Sequence, residues 1–175
     1  MQVRAIKAED MPAITAIYDE AVRTGTASFE TEPPGFEEMV RRQQALEAAG
    51  YPFLIAEENG RILGYAYAGS FRTRAAFQYT VENSIYLDAN ARGRGIGRTL
   101  LKALLEECTA RGYRQMVAVI GDSANTGSIA LHRSCGFEMI GTLPATGLKF
   151  GRWINTVLMQ RPLGEGAATV PAQEH

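Results

Sequence analysis

The sequence predicts a mixed α/β domain of the α+β type, with a central, mostly antiparallel sheet flanked by helices. Three observations predict it. Short runs that suit strands are interleaved with stretches whose apolar residues recur at helical spacing. An Asn59-Gly60 pair separates two apolar runs, "PFLIAEE" and "RILGYAYAGSF", a strong signal for a tight hairpin and so for antiparallel pairing. The nearly continuous apolar run "RQMVAVIG" (114–121) reads as a strand buried on both faces. The 175 residues, 46% hydrophobic and 21% charged, suit one domain with a sizeable core.

In chain order, "VRAI" (3–6) alternates like a short strand. Asp10 and Pro12 open a helix whose apolar face is Ile14, Ile17, Tyr18, Ala21 and Val22. "TGTASFETEPP" (24–34) holds too much Gly, Thr and Pro for a regular element and reads as a loop. A second helix runs from about Phe36 to Ala48, with Gly50 as its C-terminal cap. The hairpin follows, then a strand in "QYTVENSIYLD" (78–88). A glycine turn, "RGRGIG" (92–97), leads into a helix carrying Leu100, Leu101, Leu104 and Leu105 and closing near Gly112. After the buried strand come a short helix from about Thr126 to Ser134 and strands in "GFEMIGTL" and "INTVLMQ". No repeat or linker divides the body, so residues 1–162 read as a single domain. Residues 163–175 are small and polar and read as a flexible tail.

Composition excludes several classes. A formal net charge of -1 gives no global field for nucleic acid or anionic membrane, and no apolar run approaches the roughly 20 residues of a bilayer span. Arg92, Arg94 and Arg98 lack the wider basic surface and interleaved aromatics of a nucleic-acid site. The N-terminus has no apolar signal-peptide core. Cys108 and Cys135 form no metal-spaced cluster, and reduced thiols in a cytoplasmic protein are the simplest reading. No metal is expected.

The glycine turn carries the first functional signal. A helix N-terminus presents unpaired N–H groups and the positive end of the helix dipole, and glycines before it let successive N–H groups converge on one anion. Arg92, Arg94 and Arg98 add positive charge, so a phosphate or pyrophosphate is the natural guest. On these residues alone, an ordinary strand-to-helix turn with solvated arginines remains the alternative. A Walker A loop is excluded because Gly97 is followed by Arg98 and Thr99. A dinucleotide fingerprint fits poorly: the turn lies mid-chain, and Val117 stands where an acidic residue is required.

"RGRGIG" at the head of a leucine-rich helix, followed by "NTGSIALHRSCGF" (125–137), resembles the cofactor-binding marks of the GCN5-related N-acetyltransferases (GNAT). "ASFETEPP", "TVENSIYL", "VAVIG", "LHRSCGF" and "GLKFGRWINTVLMQ" resemble the branch that acetylates phosphinothricin and methionine sulfoximine or sulfone. The resemblance covers roughly 3–160. It implies a sheet splayed between two strands, acetyl-CoA as co-substrate, and a homodimer. It also implies a small amino-acid-like acceptor, acetylated on its α-amino group by direct transfer.

An ammonium cannot attack a thioester until it loses a proton, so such a site needs a base. Glu82 is the candidate: a carboxylate inside an otherwise apolar strand is costly unless partnered or in a polar cavity. A salt-bridged Glu near a strand end is the alternative. Arginine forks suit a carboxylate, phosphinate or sulfone. Of the candidates, Arg74 fits the family's anion-binding arginine best and Arg72 less well. Both also read as ordinary surface residues. Phe29 and Glu30 are candidates to wall the pocket and meet the α-ammonium, with core anchoring as the alternative for Phe29. Lys149, beside Trp153, reads as pocket rim and dimer contact, or as a solvated turn.

For acetyl-CoA, the resemblance implies the backbone of Tyr86 and Leu87 for the pantetheine arm. It implies the turn residues Arg92, Gly93, Arg94, Gly95, Gly97 and Arg98 for the pyrophosphate, with Asn125 and Ser128 opening the following helix. His132 stands where related enzymes often carry a Tyr that protonates the departing thiolate, so it is either that acid or a packing residue. A ping-pong route needs a nucleophile, and neither cysteine has an evident base. Acetylation of a peptide N-terminus and a non-catalytic acetyl-CoA-binding module are the rival readings.

Overall fold

A computed structural model describes residues 1–172. Seven strands form one sheet: β1 (Gln2–Ala5), β2 (Phe53–Glu58), β3 (Arg61–Ser70), β4 (Thr80–Leu87), β5 (Gln115–Gly121), β6 (Glu138–Lys149) and β7 (Arg152–Pro162). Four helices accompany them: α1 (Met11–Thr24), α2 (Phe36–Ala48), α3 (Ile96–Ala110) and α4 (Thr126–Ser134). The strand order is β1-β2-β3-β4-β5-β7-β6, antiparallel throughout except for the parallel β4–β5 pair. The mixed, mostly antiparallel architecture read from the sequence is the one observed.

Period-2 alternation sends neighbouring side chains of the central strands to opposite faces. Phe53 and Ile55 of β2 pack with Met11, Ile14, Tyr18 and Val22 of α1 and Met39 of α2. Leu54 and Ala56 pack with Leu100, Leu101, Leu104 and Cys108 of α3. Two helical layers thus bury the two faces of one sheet. Asn59 (φ 52°) and Gly60 (φ 77°) form the β2–β3 turn with both residues left-handed, the twist a two-residue hairpin prefers. Asp10 is buried beside α1, where both Arg4 guanidinium nitrogens donate to it at 2.8 Å and the Lys7 backbone N–H donates at 2.7 Å. The Arg4 bonds hold the Asp10 carboxyl below the usual carboxylate range.

Two departures from the sequence reading concern the C-terminal third. The last two strands are longer than expected and form one long hairpin turning at Phe150 and Gly151. Pro144, Gly141 and Gly147 disguise β6. An edge strand tolerates a proline, and register shifts at Met139/Gly141 and Leu143/Gly147 absorb the irregularity. The segment read as a flexible tail is docked where it begins. Leu163 is buried in the α3-side core, and its N–H donates to the Arg114 carbonyl at 2.9 Å. Arg114 in turn donates to the Gly166 carbonyl and to Thr169 Oγ1. Residues 173–175 of that segment lie outside the described residues.

Candidate active site

β4 and β5 pair only from Thr80 to Asn83 and Gln115 to Ala118. Beyond that point Ser84–Leu87 of β4 keep their pairing to β3, and Val119–Gly121 of β5 keep theirs to β7. The two strands diverge, and the main chain lining the gap has no strand partner across it among the described residues.

Two adjoining cavities occupy this wedge. One, about 410 Å³, is bounded by Glu82–Tyr86, Ala118–Gly121, the loop residues 27–30, and Asn125, Ser128 and His132. The other, about 580 Å³, runs past Leu87 to the glycine turn, with Arg92, Gly93, Gly95, Gly97 and Arg98 in its wall. Ala27, Ile85, Tyr86, Asn125 and Ser128 line both.

At the glycine turn, Gly93 (φ 75°) and Gly95 (φ 80°) are left-handed, and Gly95 is the N-cap of α3. The N-terminus of α3, from Gly95 to Arg98, lines the larger cavity, and the left-handed conformation before it is adopted at little cost only by glycine. Arg92 and Arg98 line that cavity, whereas Arg94 turns away to an ion pair with Glu58 at 2.7 Å. The sequence reading grouped the three arginines, and the structure separates Arg94 from the other two. Asn125 caps α4, its Oδ1 accepting the Ser128 N–H at 3.2 Å, and both residues face the channel.

Glu82 is half-buried in the smaller cavity, with no hydrogen-bond or ion-pair partner among the described residues. Burial pushes its carboxyl above the ordinary value, and the charge of Arg72 opposes the shift. An unpaired carboxylate with a raised pKa is suited to accept a proton near neutral pH. Arg72 is exposed, stacked over the Phe71 ring at 4.4 Å. Arg74 is also exposed, heads the short turn Ala75–Phe77, and does not line the cavity. Arg72 does not line the cavity either, but its charge is the one that opposes the burial shift of Glu82.

Phe29 and Glu30 do line the cavity, but Glu30 is already engaged. Arg42 of α2 grips both its carboxylate oxygens, at 2.9 and 2.8 Å, and the Tyr18 hydroxyl donates to it as well. The Arg42 bonds hold the Glu30 carboxyl below its ordinary value, while burial and then Glu30 push the Tyr18 phenol up to about 12. Lys149 corrects a second expectation. It is buried rather than at a solvated rim, and its Nζ donates to the Ser28 carbonyl at 2.9 Å. It braces the loop from behind instead of lining the cavity.

His132 is buried under the cavity. Its Nδ1 lies 2.8 Å from the Ser128 carbonyl, and its Nε2 lies 3.0 Å from the Asn83 side-chain amide. Burial lowers its pKa, and the hydrogen bond to the Ser128 carbonyl opposes the shift. The Asn83 atom facing Nε2 is Oδ1, while Asn83 Nδ2 points to the Val117 carbonyl at 3.5 Å, so both ring nitrogens are held against oxygen acceptors within the protein. That arrangement favours packing and positioning over the acid role. Tyr18, Ser28, Arg42, Asn83 and Asp122 escaped the sequence reading. The contacts that bring them to the site span 10 residues for Tyr18 with Ser28, 12 for Arg42 with Glu30, 49 for Asn83 with His132 and 96 for Asp122 with Thr26, so no local pattern announces them.

A mixed sheet prised open between two parallel strands, with an anion-binding turn at one end of the gap and a half-buried carboxylate at the other, defines a CoA-dependent acyltransferase. Residues 14–137 match the profile of the acetyltransferase (GNAT) family, and the chain belongs to that family. It is 52% identical over 169 residues to a phosphinothricin N-acetyltransferase of Alcaligenes faecalis, covering 97% of this chain and 86% of that protein. It is 40% identical to an L-methionine sulfoximine/L-methionine sulfone acetyltransferase of Salmonella typhimurium strain LT2, covering 96% of this chain and 98% of that one. Among solved structures it is similar to a phosphinothricin acetyltransferase from Sinorhizobium meliloti in complex with acetyl-CoA. The TM-score is 0.95 and the identity 50%, over 98% of this chain and 93% of that one.

Proposed function

We propose that this protein is an acetyl-CoA-dependent N-acetyltransferase acting on the α-amino group of small amino-acid-like acceptors: phosphinothricin, methionine sulfoximine and methionine sulfone. The observation that carries the reading is the unpaired, half-buried Glu82 at the head of the splayed strands, in a cavity adjoining a channel that ends on the glycine turn. The relatives' activities support the acceptor class.

In this reading acetyl-CoA runs through the larger cavity. The backbone of Tyr86 and Leu87 holds the pantetheine arm, and Arg92, Arg98 and the N–H groups around Gly93, Gly95 and Gly97 hold the pyrophosphate. Asn125 and Ser128 border the arm. Glu82 takes a proton from the acceptor's ammonium, directly or through a water. The freed amine lone pair attacks the thioester carbonyl, the tetrahedral adduct collapses, the C–S bond breaks, and the surplus proton on nitrogen passes to the departing CoA thiolate or to water. The thiolate is a competent leaving group, so His132 is not required as an acid. Arg72 supplies positive charge toward the acceptor's anionic groups. The neutralised Glu30 and Phe29 shape the wall.

The catalytic unit is the single domain 1–162, acting as a cytoplasmic homodimer. An exposed apolar cluster supports the dimer: Ile140, Leu148, Phe150 and Trp153 lie on the β6–β7 hairpin, and Trp153 is 66% exposed, far above what a large aromatic ordinarily shows to water. No helix among the described residues is long and apolar enough to cross a membrane.

The test is thiol release from acetyl-CoA with methionine sulfone, phosphinothricin and an N-terminal peptide as parallel acceptors. Release with the small acceptors and not the peptide is expected. Release with the peptide alone would overturn the acceptor, and acetyl-CoA binding without release would point to the non-catalytic module.

A further inference from the structure

The loop 24–34 walls the acceptor cavity without regular structure of its own, so its position depends on what it leans against. Thr26 Oγ1 donates to Asp122 Oδ2 at 3.0 Å, Lys149 donates to the Ser28 carbonyl at 2.9 Å, and Arg42 grips Glu30. Between these anchors the Phe29 ring enters a slot made of bare main chain. A Cβ built on Gly147 would fall 2.5 Å from Phe29 Cε1 and 2.6 Å from Cδ1. One built on Gly121 would fall 3.3 Å from Phe29 Cε2 and 2.1 Å from the Thr26 carbonyl oxygen. Neither glycine is among the left-handed ones, so backbone conformation does not demand them. The missing side chains are demanded by the ring and the loop. Gly147 and Lys149 alternate along β6, so they share the face that bears the loop.

We propose that Gly147 is a specificity-determining residue: by admitting the Phe29 ring into the slot, it sets the width of the acceptor cavity. The proposal rests on the reading of that cavity as the acceptor site. Carbon atoms in ordinary contact stand roughly 3.5 Å apart, so a methyl at position 147 drives the ring back by about 1 Å. The Gly121 main chain closes the opposite flank, and the loop anchors prevent the segment from sliding as a whole. The ring is 39% exposed, and its open side, which lines the cavity, is the free direction. The loss then falls on acceptors with a long or tetrahedral head group, such as a sulfone or phosphinate, and spares small α-amino acids.

The experiment compares Gly147→Ala with the wild type on methionine sulfone, phosphinothricin and α-amino acids of decreasing side-chain length, with acetyl-CoA affinity measured by calorimetry. Expected is a fall of about tenfold in kcat/KM for the long acceptors, carried mainly by KM, with acetyl-CoA affinity unchanged. The double variant Gly147→Ala/Phe29→Leu regains most of the loss, because the smaller side chain relieves the clash. A uniform loss across acceptors without rescue, or no change at all, overturns the proposal. The crystal structure of Gly147→Ala gives a readout independent of turnover. A ring displaced toward the cavity supports the slot, and an unmoved ring with a shifted β6 overturns it. A wild type silent with every acceptor sinks the functional reading, while the ring position still decides the slot. If Gly147→Ala fails to fold, Phe29→Ala alone decides: broadened acceptance of bulkier acceptors supports the proposal and unchanged selectivity refutes it.

Discussion

At the glycine turn the cavity wall is largely main chain: left-handed Gly93 and Gly95 and the N-terminus of α3. At the other end the wall is side chain: Glu30 clasped by Arg42 and Tyr18, Ser28 held by Lys149, and Phe29 wedged between two glycines. A wall of main chain recognises what every acetyl-CoA shares and survives most substitutions of its neighbours. A wall of ion pairs and packed rings can be retuned one residue at a time, but it fails when a partner is lost. Cofactor binding and acceptor choice are thus separable in this molecule, and variants at each end should move different constants.

The largest effect belongs to Glu82, in the smaller cavity. Glu82→Gln removes the base and should lower kcat by about 10²- to 10⁴-fold, leaving acetyl-CoA affinity as it was. In the wild type, activity rises with pH through the raised pKa of this carboxyl. That limb should vanish in the variant's pH–rate profile. The same shift predicts a stability change. A carboxyl whose folded pKa lies above its unfolded value contributes stability below the unfolded pKa and loses it as pH rises through the folded one. Glu82→Gln should therefore raise the melting temperature at pH 7 relative to wild type, with the gain gone at pH 3. A variant both slower and less stable at pH 7 would contradict this account of Glu82.

Next comes the main-chain end. Gly95→Ala puts a Cβ on a left-handed residue, costing roughly 1–2 kcal/mol of stability. Because no neighbouring atom lies within 4 Å of that Cβ, strain rather than collision is the cause. Acetyl-CoA KM should rise about tenfold as the N-terminus of α3 shifts, with acceptor KM little changed. A denaturation midpoint and two KM values check it. Arg42→Ala is the mirror experiment. Glu30 loses both bonds from Arg42, the loop loosens, and acceptor KM should rise several-fold while acetyl-CoA KM holds. The depressed Glu30 carboxyl contributes stability above its unfolded pKa, lost as pH falls through the folded one, so the variant should show a shallower acid-side loss of stability.

The same contrast explains what could be read from the sequence. Left-handed turns advertise themselves as glycines, helix starts as Asp10-Met11-Pro12 or Asn125, and the buried strand as an unbroken apolar run. Fold and glycine turn were legible because each rests on local chemistry, whereas the wedge was implied only by the family resemblance. The acceptor wall was not legible, because its logic is pairwise across the chain. Lys149 looks like a surface lysine until the Ser28 carbonyl, 121 residues away, is brought to it. Arg72 and Arg74 differ by two positions in one loop, and only the folded chain sets Arg72's charge against Glu82. The β6 strand was cut short in the reading because Pro144 and its glycines carry turn signals that an edge position overrides.

Arg94 gives the smallest expected effect and the sharpest control. It sits inside the glycine motif, between the two left-handed glycines, and sequence alone assigns it to the pyrophosphate with Arg92 and Arg98. In the folded chain its guanidinium is spent on Glu58 across the surface, at 2.7 Å, while Arg92 and Arg98 face the channel. An exposed pair of this kind contributes little in salt solution. Arg94→Ala should leave the denaturation midpoint within error and change acetyl-CoA KM by less than about twofold. Arg98→Ala should raise acetyl-CoA KM several-fold, with a difference that shrinks as ionic strength rises and the Debye length falls below about 10 Å. Measuring both KM values at two salt concentrations separates motif membership from geometry. Equal, salt-sensitive losses at 94 and 98 would mean that Arg94 leaves Glu58 when acetyl-CoA binds, and that the turn recruits side chains as well as main chain.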